Sequence, residues 1–307
     1  MPRPTAPLSL SLVLALAACP AGDSKKVVET KKTPDAKTEP AGDATQDQNT
    51  SLSKAVTTID TAGPVPPEVS AVLFTVDGAL IPIGCFIKGK KLASGKDCLS
   101  VVKKDDEVYL KAKSVEKLDK IGDPKSANCE VGGGAATSLS TPSTDTGATF
   151  DYAVAPKSLA RVLTPMPEDS WSDRKPSLSA EETAALVGLS KVTGALTIGQ
   201  NASHDVDGDG TPDKIVTAFQ IDAKDSERYS FSGIFLQRGN APGKWAVLLS
   251  DKSDVKSYTV RAAVDLDGDR TAELWVNSVG TDGSGGDALF QLSGDTAKPV
   301  GKFSCGG

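Results

Sequence analysis

The chain has 307 residues, 40 acidic against 34 basic side chains, a formal charge of −6 and an isoelectric point near 5.0. Without a basic stripe to meet phosphates, this balance excludes a nucleic-acid partner. Aromatic residues make up only 5% of the chain, which also counts against a stacking platform for single strands or sugars.

Residues 1–19 read as a targeting segment. A single Arg3 precedes an apolar run over 8–18, too short to span a bilayer as a mature helix. The run ends Leu16-Ala17-Ala18-Cys19, which resembles a bacterial lipobox, where small residues before a cysteine suit the lipoprotein signal peptidase. The resemblance implies that Cys19 becomes the diacylated N-terminus. It places the protein at the bacterial cell envelope, on the outer membrane or the periplasmic face, with membrane lipid as its first partner. Two or more acyl chains anchor stably where one is marginal. The alternative is an ordinary secretory signal that happens to hold a cysteine. Residues 20–62 carry mixed charges, Thr, Ala, Gln and Pro with almost no large apolar side chains. They cannot offset the entropy of ordering and read as a disordered tether, with an end-to-end distance on the order of 35 Å.

The remainder reads as a mainly β protein in two parts. The first is an N-terminal β-domain over 63–165. The second is a C-terminal pair of blade-like β-repeats over 178–307, with one short helix between them. Strand-like runs cover 69–76 and 79–87, separated by Asp77-Gly78, and then 98–102 and 108–112. The Gly- and Ser-rich stretch 132–144 lacks the GK[ST] of a phosphate loop and reads as a plain loop. Residues 164–177 read as a linker or surface strap. Ser179-Ala-Glu-Glu182 is a capping box opening a helix to about Val187, with Gly188 ending it. Further strands follow at 195–199, 215–221, 229–237 and 245–249, and at 258–264, 274–279, 288–292 and 300–303.

After Cys19 four cysteines remain, Cys85, Cys98, Cys129 and Cys305. An even count in an exported chain predicts two disulfides, and three connectivities are open. Cys85 and Cys98 flank a polar hairpin-like excursion and are paired on that ground, which leaves Cys129 with Cys305. Neither a CxxC nor a second histidine is present to support a cysteine metal site.

The most informative stretch is Asp205-Val-Asp207-Gly-Asp209-Gly210-Thr211-Pro-Asp213. Carboxylates stand at positions 1, 3, 5 and 9, and a glycine at position 6 allows a sharp turn. A hard cation such as Ca2+ takes six to eight oxygens, and an acidic loop of this spacing supplies most of them, Thr211 through its backbone carbonyl. An EF-hand would need Glu at position 12, where Val216 stands, and the β-formers that follow predict strand–loop–strand. Sixty residues on, the pattern returns as Asp265, Asp267, Asp269, Thr271 and Glu273. Arg270 replaces the glycine there and brings a cation to the loop, so the second copy is expected to bind more weakly than the first or not at all. The alternative for both loops is a pair of hydrated Asp-Gly turns.

The two stretches resemble the FG-GAP/VCBS type of repeat, the acidic loop of integrin-α-like propeller blades. The resemblance covers roughly the last 110 residues and implies Ca2+ held chiefly as structural support in a protein that works outside the cytoplasm. Two copies cannot close a propeller ring; either further blades have lost the acidic pattern or the pair forms a smaller β-domain, and the smaller domain is the expectation.

His204 is the only histidine and reads as a packing residue at the loop edge. No nucleophile motif or His-based metal cluster accompanies it, so a non-catalytic role is expected, either binding of a protein or glycan or a purely structural one. The alternative is an envelope polysaccharide hydrolase working through carboxylates.

Overall fold

A computed structural model describes residues 70–305, apart from 90, 114, 132–133, 168–176, 227, 253–255 and 281–283. The lipobox with Cys19, the tether over 20–62 and most of the expected strap over 164–177 lie outside the described residues.

In the first part the strands are β1 (Ala71–Val76), β2 (Leu80–Phe86), β3 (Leu92–Ala93), β4 (Glu107–Lys111), β5 (Glu116–Lys120), β6 (Pro124–Val131), β7 (Gly134–Leu139), β8 (Tyr152–Ala155) and β9 (Leu163–Pro165). Helix α1 (Pro142–Asp145) precedes β8, and α2 (Ala180–Ser190) follows β9. The first meander after α2 is β10 (Thr197–His204), β11 (Asp213–Ile221), β12 (Tyr229–Gln237) and β13 (Trp245–Asp251). The second is β14 (Lys256–Val264), β15 (Glu273–Gly280), β16 (Gly285–Ser293) and β17 (Thr296–Cys305).

The protein is mainly β. The first meander is a four-stranded sheet of its own, and the other thirteen strands form one sheet in the order β5-β4-β8-β1-β2-β7-β6-β17-β16-β15-β14-β9, with β3 beside β2. β17 pairs with β6 and β14 with β9, so strands from 63–165 and from 178–307 share one sheet.

Alternation along the strands assigns each face to a core, because successive side chains point to opposite sides. Ala71 and Leu73 on β1 join Ile81, Ile83, Leu159, Val264, Trp275 and Leu289 inside the curl of the large sheet. Their neighbours Val72 and Phe74 face outward onto Leu80, Cys85, Cys98 and Leu110. Both faces are covered, which is why β1 reads as a nearly unbroken apolar run. The two meanders pack face to face through Ile215, Ile234 and Leu236 against Val260, Leu274 and Val276. The far face of the small sheet, with Val216, Phe231 and Phe235, is covered by α2 through Leu186. Gln200, only 1% exposed, ties the meanders together. Its side chain accepts from the Val260 N–H and donates to the Val260 carbonyl, both at 2.9 Å.

Three local expectations change. Residues 98–102 do not form a strand. Gly95–Ser100 form a 3-10 helix that delivers Cys98 under β2, where it is bonded to Cys85 with the Cα atoms 5.5 Å apart. The Gly-rich loop contains a strand, β7, because pairing with β6 and β2 outweighs the weak propensity of its small residues. Helix α2 runs past Gly188 to Ser190 and stops at Lys191, whose φ of 57° closes it with a bond from its N–H to the Val187 carbonyl. Fully buried Leu186 holds the last turn, and that packing exceeds the roughly 1 kcal/mol cost of a helical glycine. The Ser179–Glu182 capping box forms as expected. Cys129 and Cys305 lie on the paired strands β6 and β17, and the expected bond between them falls on side chains outside the described residues.

Burial also sets an alkaline limit. Tyr109 on β4 is 7% exposed, and burial, reinforced by the Glu116 carboxylate, pushes its phenol up to about 12. A pKa raised on folding contributes stability below the unfolded value near 10, and that stability is lost as the pH climbs from there to about 12. In a titration followed at 295 nm, the phenolate of Tyr109 is expected only near pH 12 or on unfolding. Ionisation of all four tyrosines near pH 10 with the circular dichroism intact would contradict this burial.

Candidate metal centre

Both acidic loops are built the same way. Each joins the first strand of a meander to the second, and the pair that closes it is His204↔Asp213 in one and Val264↔Glu273 in the other. The second loop residue, Val206 or Leu266, is fully buried and pins the loop to the core. Its N–H donates to the carboxylate at position 9, Val206 to Asp213 at 3.1 Å and Leu266 to Glu273 at 3.0 Å. Asp205, Asp207 and Asp209 can bring one oxygen each to within 4.8 Å of one another, and so can Asp265, Asp267 and Asp269.

Backbone donors shape both turns. Gly210 N–H donates to Asp205 at 2.8 Å, and Arg270 N–H to Asp265 at 3.2 Å. Thr211 and Thr271 each donate an N–H to the aspartate two residues earlier, at 2.7 Å. The loops also touch. Ala272 N–H donates to the Val206 carbonyl at 2.9 Å, and a Cβ on Gly208 would lie 2.6 Å from the Arg270 carbonyl oxygen. The eight carboxylates therefore gather at one end of the packed meanders.

The loops differ in what meets those carboxylates. In the first, Arg238, just past the end of β12, sets one terminal nitrogen 3.2 Å from Asp207 and 3.1 Å from Asp213. Gly239 N–H donates to the other Asp213 oxygen at 2.8 Å, and the Asn240 amide donates to Asp209 at 2.6 Å. In the second loop no cationic side chain lies within ion-pair distance of the four carboxylates among the described residues. Glu273 is 0% exposed, and its Oε1 has no hydrogen-bond partner among the described residues.

Arg270 was expected to bring its charge into this loop. Among the described residues its side chain is exposed and forms no ion pair, while its backbone, at a φ of 75°, does what Gly210 does at 88°. Burial is the main cause that raises the Asp265 and Asp267 carboxyls. It pushes Glu273 up to about 9, with the three neighbouring aspartates adding to the effect. Asp207 is also raised, first by burial and then by Asp213, with Arg238 opposing. A buried carboxylate with a bare oxygen amid like charges calls for a proton or a cation, and an all-oxygen donor set suits a hard cation such as Ca2+.

His204 is half-buried, and burial lowers its pKa against the pull of Asp205 and Asp213. A second polar cluster lies inside the curled sheet. Asp287, 6% exposed, accepts from Trp275 Nε1 at 2.9 Å, Asn277 at 3.1 Å and Thr75 at 3.3 Å, with Arg261 Nε 3.4 Å away.

Comparison with family models, curated proteins and solved structures returns no match for this chain. The one site residue of consequence that the sequence pattern missed is Arg238. Its signal was a lone cation in the turn Arg238-Gly-Asn240, directly after the strand that pairs with the loop's outgoing strand. No helix among the described residues is long and apolar enough to cross a membrane.

Proposed function

We propose that this chain is a lipid-anchored protein of the bacterial cell envelope whose paired β-meanders bind Ca2+. Its role is binding or structural, towards a protein or glycan, and not catalytic. The observation that carries the cation is the bare, buried Oε1 of Glu273 beside Asp265, Asp267 and Asp269. A site made only of carboxylate and carbonyl oxygens at the end of a β-sandwich fits a cation that locks a loop in place. The placement of each acidic loop between the first two strands of a four-stranded meander supports the kinship with FG-GAP/VCBS-type repeats. The Leu-Ala-Ala-Cys19 sequence supports the lipid anchor.

Thermal unfolding of the full chain in detergent tests this, first with EGTA and then with millimolar Ca2+. A ligand bound only by the folded state adds roughly 2.7 kcal/mol at 100 times its Kd, which is several degrees for a domain of this size. A Tm that does not move with Ca2+ would reduce the loops to hydrated turns.

A further inference from the structure

We infer that the two acidic loops have divided the work. The first loop carries a built-in cation, the Arg238 guanidinium, and the second takes the divalent ion. This rests on the second loop being a cation site, as proposed above.

The Arg238 side chain is 12% exposed and bridges Asp207 and Asp213 across the mouth of its loop. It is held from behind by the Gly294 carbonyl and by Asp295, 3.7 Å away, in the turn between β16 and β17. With Gly239 N–H and Asn240 added, Asp207, Asp209 and Asp213 each have a donor that the second loop does not supply.

Register explains the difference. β11 pairs with β12 through Lys214↔Gln237, and β15 with β16 through Leu274↔Phe290. One further step towards the loop sets Arg238 opposite Asp213 and a neutral residue, Gln291, opposite Glu273. The same position thus carries a positive charge in one meander and none in the other, and only the loop without it keeps a bare buried oxygen. A guanidinium between two carboxylates excludes a divalent ion by charge and by volume, and it forms directed hydrogen bonds that no water-exchanging ion must replace.

Calcium titration calorimetry on the full chain decides the matter. The wild type is expected to take a single Ca2+, lost in Glu273→Gln. Asp207→Asn is expected to leave that single site within about twofold in affinity, since energetic coupling fades between groups without shared partners. Arg238→Gln is expected to add a second site, which the further change Asp207→Asn removes. Two ions bound by the wild type, or a single site abolished by Asp207→Asn, would overturn this division of work and leave the cation reading standing. No binding by either the wild type or Arg238→Gln would overturn both. The Asp207→Asn comparison decides the question even where Arg238→Gln does not fold.

Discussion

Replacing Glu273 with glutamine is expected to raise the unfolding temperature of the calcium-free protein and to abolish its response to Ca2+. The side chain is fully buried and its carboxyl is raised from 4.5 to about 9. In the ion-free fold at pH 7 it must therefore hold a proton that the unfolded chain would release. Holding a proton at pH 7, about 2.5 units above the ordinary value of 4.5, costs up to about 3.4 kcal/mol at about 1.36 kcal/mol per unit. Glutamine carries no such cost. Its own amide needs partners in the same place, so a net gain of about 1–2 kcal/mol, a few degrees, is expected.

The sign follows from linkage. A carboxyl raised on folding contributes stability that is complete below pH 4.5 and lost as the pH rises to about 9. The stability of the calcium-free wild type should fall over that window, and that of Glu273→Gln should fall less. Ca2+ should restore the wild type alone. Differential scanning calorimetry in EGTA at pH 5 and pH 8 checks all three. A Glu273→Gln protein that melts lower than wild type at pH 8 in EGTA would show that Oε1 is partnered in solution, and the main support for the cation would be gone.

The second large effect is expected at Asp287, far from the loops. Replacement by alanine should destabilise the protein by about 2–4 kcal/mol, because it leaves two buried donors, Thr75 and Trp275, without an acceptor and removes the partner of the partly exposed Arg261. The donors come from three strands: Thr75 on β1, Trp275 and Asn277 on β15, and Arg261 on β14. Arg261 also lies over the Trp275 ring at 5.5 Å from its centre, so the loss frees a charge that is otherwise stacked as well as paired. Asparagine keeps one acceptor and should cost less than alanine. Urea unfolding measures the difference, with an unchanged m-value as the sign that only stability moved. A loss below about 1 kcal/mol for Asp287→Ala would mean that water replaces the carboxylate easily and the curled sheet is wetter than its burial indicates.

Much of this protein was written in local pattern. Period-2 alternation, Asp-Gly turns and the spacing inside each acidic loop predict strands joined by tight loops, because each feature depends only on neighbours within about ten residues. The Ser179–Glu182 cap and the Cys85–Cys98 pair were open to the same kind of inference, since both span short segments. The runs over 98–102 and 132–144 were not. A buried disulfide and the partner strands of β7 overrode their local preferences.

The candidate site divides along the same line. Its carboxylates, Asp205 to Asp213 and Asp265 to Glu273, were legible from spacing alone, as was the glycine-to-Arg270 exchange. Which loop keeps a buried carboxylate oxygen without a partner among the described residues was decided only by the fold. Strand pairing carries Arg238 across 25 residues to Asp213 and places neutral Gln291 in the corresponding position opposite Glu273. A side chain's charge is visible in the sequence, but the groups it faces depend on register between strands distant along the chain, and only tertiary structure sets that register.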